Sequence, residues 1–334
     1  MQDVSVVITV LNEAVDIERV VPSLLSQTPP AAEVVVVDGG STDGTWEWLQ
    51  RQMDFNAQAL NQQPDATRLT AIRDETCNLK YSAGPVSRGR NVAIAAAKSA
   101  VIATADAGCT YAPDWLRNLT APIVDGSAEY ALGGSCLDPH DHSIWDVASA
   151  PYFSIKLDPL ASTKSCTARS MAFTRALWER VGRFPEDVLV GEDTLFDMAA
   201  RRVTRPAFVT DAKALYHPGN SFRSATHQMA RYAVSDGQAG VRWGRMFRNA
   251  ARCVLEILAL AFVYLTIWPL VFVVALECRY AFHRDLRSVI RFGAKAMLAR
   301  VVFSVAVPWV VAINQIRGRF TTQSLTNWQN TGGQ

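Results

Sequence analysis

The 334-residue chain has no C-x-x-C pair and no short cysteine framework. Cys77, Cys109, Cys136, Cys166, Cys253 and Cys278 stand singly, which argues against a structural zinc site or a disulfide scaffold and fits reduced thiols in a cytosol-facing protein. A secretory signal is also lacking: Met1-Gln2-Asp3 runs straight into V-S-V-V-I-T-V, with no basic leader or cleavage site, so the N-terminal part is expected in the cytosol. No G-x-G-x-x-G follows the first apolar run, and no G-x-x-x-x-G-K-[ST] occurs. A dinucleotide site of that type and a P-loop therefore find no support. Internal repeats and low-complexity segments are missing too.

Charge is divided unevenly. The formal net charge is +2, yet from residue 226 onward 13 Lys and Arg face 4 Asp and Glu, whereas residues 1–225 hold 20 against 27. A basic tail could serve nucleic acid, but this one is strongly apolar. Residues 254–275 are interrupted mainly by Glu256 and are long enough to cross a bilayer. A second apolar segment, 297–313, contains Arg300 and Pro308. A membrane is the expected partner, and nucleic acid is not. The intervening Arg279, Arg284, Arg287, Arg291 and Lys295 should stay cytosolic, which conflicts with two full spans. Pro269 offers one resolution, a broken or tilted first element with the basic stretch lying at the interface.

What is present in the first part is an alternation of strands and helices. Val4–Val10 reads as a buried strand, and Ile17, Val20, Val21, Leu24 and Leu25 form one face of a helix with Asn12 as its cap. Val34–Val37 is a run typical of a parallel strand buried on both faces, and Ser41 or Asp43 is placed to cap the next helix. Arg88–Lys98 reads as a helix and Val101–Thr104 as a strand. The order implies an open α/β sheet, Rossmann-like and mostly parallel, with its ligand at the carboxyl ends of the strands. Further on, 130–136 and 169–174 read as strands, and helices are expected at 175–181 and from Glu192. The expected organisation is a domain over 1–225, a helical connector over 226–252, membrane-associated helices over 253–320 and a polar tail over 321–334.

Two stretches suggest chemistry. Asp38 ends the valine strand and is followed by G-G-S-T-D-G-T. There the carboxylate could accept hydrogen bonds from a base or ribose, or could instead cap its own turn. Gly191-Glu192-Asp193-Thr194 sets two carboxylates at a helix start, suited either to proton transfer or to the helix dipole.

Taken together, V-I-T-V-L-N-E (7–13), V-V-D-G-G-S-T-D-G-T (36–45), R-G-R-N-V-A (88–93), T-A-D-A-G (104–108) and G-E-D (191–193) resemble the family 2 glycosyltransferases, inverting enzymes of the GT-A fold, over residues 3–235. The resemblance implies a nucleoside-diphosphate sugar donor. Glu13 and Asp38 would hold its base and ribose, Arg90 would lie nearby, and Asp106 would approach the ribose and diphosphate. Asp193 would be the catalytic base, with Glu192 contacting the acceptor or orienting the base. UDP is favoured because such sites in the family commonly hold uridine. Where the family has a second aspartate for a divalent ion, this chain has Gly108. An Mg²⁺ or Mn²⁺ ion would then rest on Asp106, phosphate, water and His217, unless His217 is a turn residue before Pro218. Arg231, or Arg223, is placed to meet the departing diphosphate. His140 and His142, in the P-H-D-H stretch, suit a loop better than a metal site, and Trp145, Tyr152 and Phe153 suit either acceptor stacking or core packing.

The function this implies is transfer of a sugar to a lipid-linked or glycan acceptor at the cytosolic face of the cell membrane, in polysaccharide or glycolipid synthesis. Two alternatives stand: a polyprenyl-phosphate glycosyltransferase, and a degenerate nucleotide-sugar-binding membrane scaffold.

Overall fold

Continuous burial along the first strands builds two cores, one on each side of a sheet. The computed structural model describes residues 4–153, 155–157, 167–262, 265–282 and 286–320. Cys166, Arg284 and the tail over 321–334 lie outside the described residues. The described chain separates into two units, one drawn from residues 4–136 and 167–217, the other from 137–157 and 218–320.

In the first unit, β1 (Val4–Val10), α1 (Ala14–Leu25), β2 (Glu33–Asp38), α2 (Thr45–Gln62) and β3 (Arg68–Arg73) are followed by α3 (Pro85–Ala96) and β4 (Val101–Thr104). Next come β5 (Cys109–Tyr111), α4 (Trp115–Val124) and β6 (Tyr130–Leu137), and, in the second unit, α5 (Ile144–Ser149). The first unit then resumes with β7 (Met171–Thr174), α6 (Arg175–Arg180), α7 (Glu192–Val203) and β8 (Ala207–Tyr216). The eight strands lie in the order β3-β2-β1-β4-β7-β6-β8-β5. The first four are parallel, and the pairs β4/β7, β7/β6 and β8/β5 are antiparallel.

Successive residues of a strand face opposite sides of a sheet. Val6, Ile8, Val34 and Val36 accordingly join Leu24 of α1 and Trp115 and Leu119 of α4. Val7, Val35 and Val37 join Ile94 of α3, Trp178 of α6 and Phe196 of α7. With both faces covered, the valine run is stable only as an interior strand. The register sets Val10 beside Asp38 and Asp38 beside Arg73, so β1, β2 and β3 end at one edge.

Two expected helix caps are corrected. Asn12 does not cap α1: its backbone is left-handed, with φ 57°, and its Oδ1 accepts from the Thr42 amide at 2.9 Å. At α2 the cap position belongs to Gly44; Asp43, one residue earlier, still accepts from the Thr45 amide that opens α2, at 3.1 Å, and with its other oxygen from the Ala14 amide at the start of α1, at 3.0 Å.

The second unit contains α5, α8 (Phe222–Gln238), α9 (Trp243–Ala261), α10 (Trp268–Phe282), α11 (Leu286–Ile290) and α12 (Gly293–Phe320). The apolar stretch 254–275 is divided between α9 and α10, with Pro269 in the first turn of α10, where its missing N–H costs nothing. Among the described residues one helix, α12, is long and apolar enough to cross a membrane, and half of its apolar window is buried within the fold. Trp145, Tyr152 and Phe153 pack against the core formed by α8 and α12, with Tyr152 5.4 Å from Phe303 and Phe153 5.8 Å from Tyr232 between ring centroids.

Beside this apolar core the helical group buries a few charged residues, and it leaves large apolar side chains exposed. Arg252 of α9 donates to Glu277 of α10 and to the Ser304 carbonyl of α12, and Glu256 accepts from the Trp309 indole. Leu260, Leu265, Trp268 and Phe272 are instead 62%, 78%, 73% and 62% exposed.

Candidate active site

The segments L-N-E and S-T-D-G-T interlock at the carboxyl edge of the sheet. The amides of Asn12 and Glu13 donate to Ser41 Oγ (2.8 Å) and Thr45 Oγ1 (2.9 Å). These bonds tie the start of α1 to the β2 turn and fix Glu13 beside it. Burial, with the nearby charges of Asp16, Asp106 and Asp43, pushes the Glu13 carboxyl up to about 7.

Asp38 is fully buried. Its two oxygens accept from the Ser41 amide at 3.2 and 3.1 Å, and Oδ1 also accepts from the Ser41 hydroxyl. Arg73 Nε lies 3.9 Å from Oδ2. In this arrangement Asp38 holds its own turn, and a bound nucleoside would have to share or displace those contacts.

The tightest construction surrounds Arg90. Gly89 lets α3 lie directly on β1, since a Cβ there would sit 2.2 Å from Thr9 Oγ1. The next residue, Arg90, is thereby sunk at the strand ends. Its side chain is 3% exposed, and it donates to Asp106 Oδ1 at 2.8 Å and to Glu192 Oε1. Asn91 secures the loop that leads to α7: its amide nitrogen donates to the Phe184 carbonyl (2.9 Å) and Glu186 Oε1 (2.8 Å), and its oxygen accepts from the Phe184 amide. The left-handed Gly191 (φ 84°) then opens α7, a conformation that favours glycine, and presents Glu192 and Asp193. Asp193 accepts from the Thr194 amide at 2.6 Å and from the Ala168 amide at 3.4 Å.

Burial opposes charge on Arg90, but Asp106, Glu192 and Asp193 outweigh it and hold the guanidinium charged. Burial pushes the Glu192 carboxyl up, Arg90 pulls it down and Asp193 adds to the rise.

Glu13, Arg90, Asp106, Glu192 and Asp193 all belong to the first unit. His217 directly follows β8 in the same unit; its amide donates to the Gly108 carbonyl at 2.8 Å, and its Nε2 lies 3.0 Å from Thr110 Oγ1. Arg223 and Arg231 are exposed on α8 of the second unit. Arg169 and Tyr111 have no counterpart among the expected site residues. The Asp106 amide donates to the Tyr111 hydroxyl (3.0 Å), which donates to the Arg169 carbonyl (2.9 Å), and Arg169 Nε is 3.9 Å from Asp106 Oδ2. No motif in the sequence marks either residue.

These residues do not suit a protein-held divalent ion. Gly108 supplies no side-chain oxygen, both Asp106 oxygens lie near guanidinium groups, and among the described residues no three His, Cys, Asp or Glu side chains converge. Hard cations need several oxygen ligands, and adjacent positive charge repels them. His140 and His142 form a turn instead, with His140 N 2.7 Å from Asp138 Oδ1 and His142 Nδ1 3.0 Å from the Asp138 carbonyl.

The open sheet, with acidic residues at its strand ends and Arg90 of α3 buried beside them, has the GT-A fold. The chain belongs to the glycosyl transferase family 2, whose model matches residues 5–176, and it is a glycosyltransferase. It is 27% identical to glycosyltransferase AglE of Haloferax volcanii over 95% of both chains. The mannosyltransferase PcManGT from Pyrobaculum calidifontis, solved with GDP-Man and Mn²⁺, superposes with a TM-score of 0.57 at 22% identity, covering 96% of this chain and 88% of that one. Staphylococcus aureus TarS 1–349 in complex with UDP gives 0.47 at 18% identity, covering 97% and 94%.

Proposed function

We propose that the protein is an inverting glycosyltransferase that moves a sugar from a nucleoside-diphosphate donor, with UDP expected, to a lipid-linked or glycan acceptor at the cytosolic face of the cell membrane. The observation that supports this most is the buried Arg90, joined to Asp106 and Glu192 with Asp193 alongside. A guanidinium held between two carboxylates fixes Asp106 and Glu192 in place before substrate arrives.

In this reading Glu13 and Asp38 meet the base and ribose, and Asp106 meets the ribose and diphosphate. Asp193 accepts the acceptor hydroxyl proton. The acceptor oxygen forms a bond to the anomeric carbon as the bond to the β-phosphate oxygen breaks, and the electron pair leaves with the diphosphate. Glu192, held by Arg90, keeps Asp193 in position. Arg231 remains a candidate for the diphosphate. The membrane location rests on the exposed leucine, tryptophan and phenylalanine side chains of the helical unit, which suit an apolar surrounding better than water, while its charged Arg252, Glu256 and Glu277 are buried.

The test is nucleoside diphosphate release from UDP-, GDP- and dTDP-sugars by the detergent-purified full chain with a membrane lipid extract. Asp193→Asn is expected to cut the rate by roughly 10²- to 10⁴-fold with donor binding retained, and the product should carry the inverted anomeric configuration. An Asn variant that keeps its rate rules out Asp193 as the base.

A further inference from the structure

The loop that ends in Gly108 meets a second arginine. Arg169 lies in the turn before β7, buried, with its Cζ 4.1 Å from the centroid of the Tyr216 ring and its Nη1 3.3 Å from Thr167 Oγ1. Tyr111 ties the backbones of Asp106 and Arg169 together, and the opposed side chains lie 3.9 Å apart. A Cβ placed on Gly108 would begin 3.3 Å from Tyr216 Cε2, tighter than ordinary contact. The tyrosine that braces Arg169 therefore crowds the position from which a second aspartate would extend.

We propose that Arg169, stacked on Tyr216 beside Asp106, supplies the positive charge that stabilises the leaving nucleoside diphosphate, so that donor binding and transfer do not depend on a divalent cation. The inference rests on the donor reading given above. As the anomeric C–O bond breaks, its electron pair passes to the β-phosphate oxygen and negative charge grows there. A planar guanidinium fork matches phosphate oxygens, and a stacked one is already oriented when that charge appears. Arg90 is badly placed for the task, because its charge is committed to Asp106 and Glu192.

The experiment is titration calorimetry of the full chain in detergent with UDP, UMP, GDP and GMP, in EDTA and in Mg²⁺ or Mn²⁺. The wild type in EDTA should bind a diphosphate more tightly than its monophosphate. Arg169→Gln should weaken diphosphate binding roughly 10- to 100-fold while leaving the monophosphate within about twofold, as loss of one charge-assisted contact requires. Arg169→Lys, which keeps charge but loses the fork, should fall between. A diphosphate preference that appears only with a divalent ion, with turnover intact, overturns the role of Arg169 and leaves the transferase reading standing; this arm uses the wild type alone. A preference unchanged in Arg169→Gln overturns it equally. Failure of every nucleotide to bind under all conditions removes the donor reading and this inference together.

Discussion

Replacing Arg90 by methionine keeps an unbranched chain of similar reach but removes the charge that lies between Asp106 and Glu192. Breaking a buried ion pair by deleting one partner typically costs roughly 3 to 5 kcal/mol. Here a ceiling applies. Asp106 is 30% exposed and can be hydrated, so the loss falls on Glu192, whose side chain is 11% exposed. The folded variant can escape by protonating Glu192, at about 1.4 kcal/mol for each pH unit above the ordinary glutamate value of 4.5. That limits the penalty to about 3.5 kcal/mol at pH 7 and about 1.4 kcal/mol at pH 5.5.

The direction follows from linkage. Glu192 titrates higher in the folded protein than in the unfolded chain, and more so without Arg90. Its contribution is fully present below the unfolded pKa and is lost as pH rises through the folded one. The gap between Arg90→Met and wild type should therefore widen from pH 5.5 to pH 7. Urea unfolding followed by tryptophan fluorescence measures this, because Trp115 and Trp178 are buried in the same unit. Arg90→Met/Glu192→Gln should be more stable at pH 7 than Arg90→Met alone. A gap that does not change with pH, or a double variant no better than the single, refutes the reasoning.

Glu13, raised to about 7 from 4.5, holds a proton in the folded state that the unfolded chain has released between those values; its stabilising contribution is complete below about 4.5 and is lost as pH rises through about 7. Glu13→Gln should accordingly raise the melting temperature at pH 8 relative to wild type and change it little at pH 4.5, and equal shifts at both would count against a buried Glu13. For the helical unit, the full chain should float with lipid vesicles even at high salt, because exposed Leu260 and Phe272 would contribute apolar contact, which salt does not screen. Leu260→Asp/Phe272→Asp should reduce the floating fraction, and release of the wild type by salt alone would show that the attachment is electrostatic.

How much was legible depended on whether the deciding interaction was local. β1 and β4 matched the residues expected for them, and β2 extends one residue beyond the valine run at each end, because strands covered on both faces must be continuously apolar. β3 was not legible: at the sheet edge its burial is mixed, and it starts and ends with arginine. α3 begins three residues earlier than expected, since Pro85 fits a first helical turn but reads in sequence as a break. The helix caps failed for a different reason. Asn12 and Asp43 each bind the other's loop across 30 residues or so of chain, and local cap rules contain no such term.

The site divides the same way. Asp38, Asp106 and Glu192-Asp193 could be singled out because each stands at or just past a strand end, or at a helix start, within a motif. That Arg90 joins Asp106 to Glu192 spans 16 and 102 residues and is decided by Gly89 setting α3 against β1. Arg169 has no motif at all. Its place beside Asp106 comes from β7 running antiparallel to β4 and from the antiparallel pairing of β5 with β8, which brings Tyr216 opposite Cys109. The half of the sheet that the sequence pattern described least well is therefore the half that sets the charge around Asp106. A substitution in β5 or β8 that shifts this register by one residue would turn Tyr216 to the other face and remove the brace behind Arg169 without touching any acidic residue of the site.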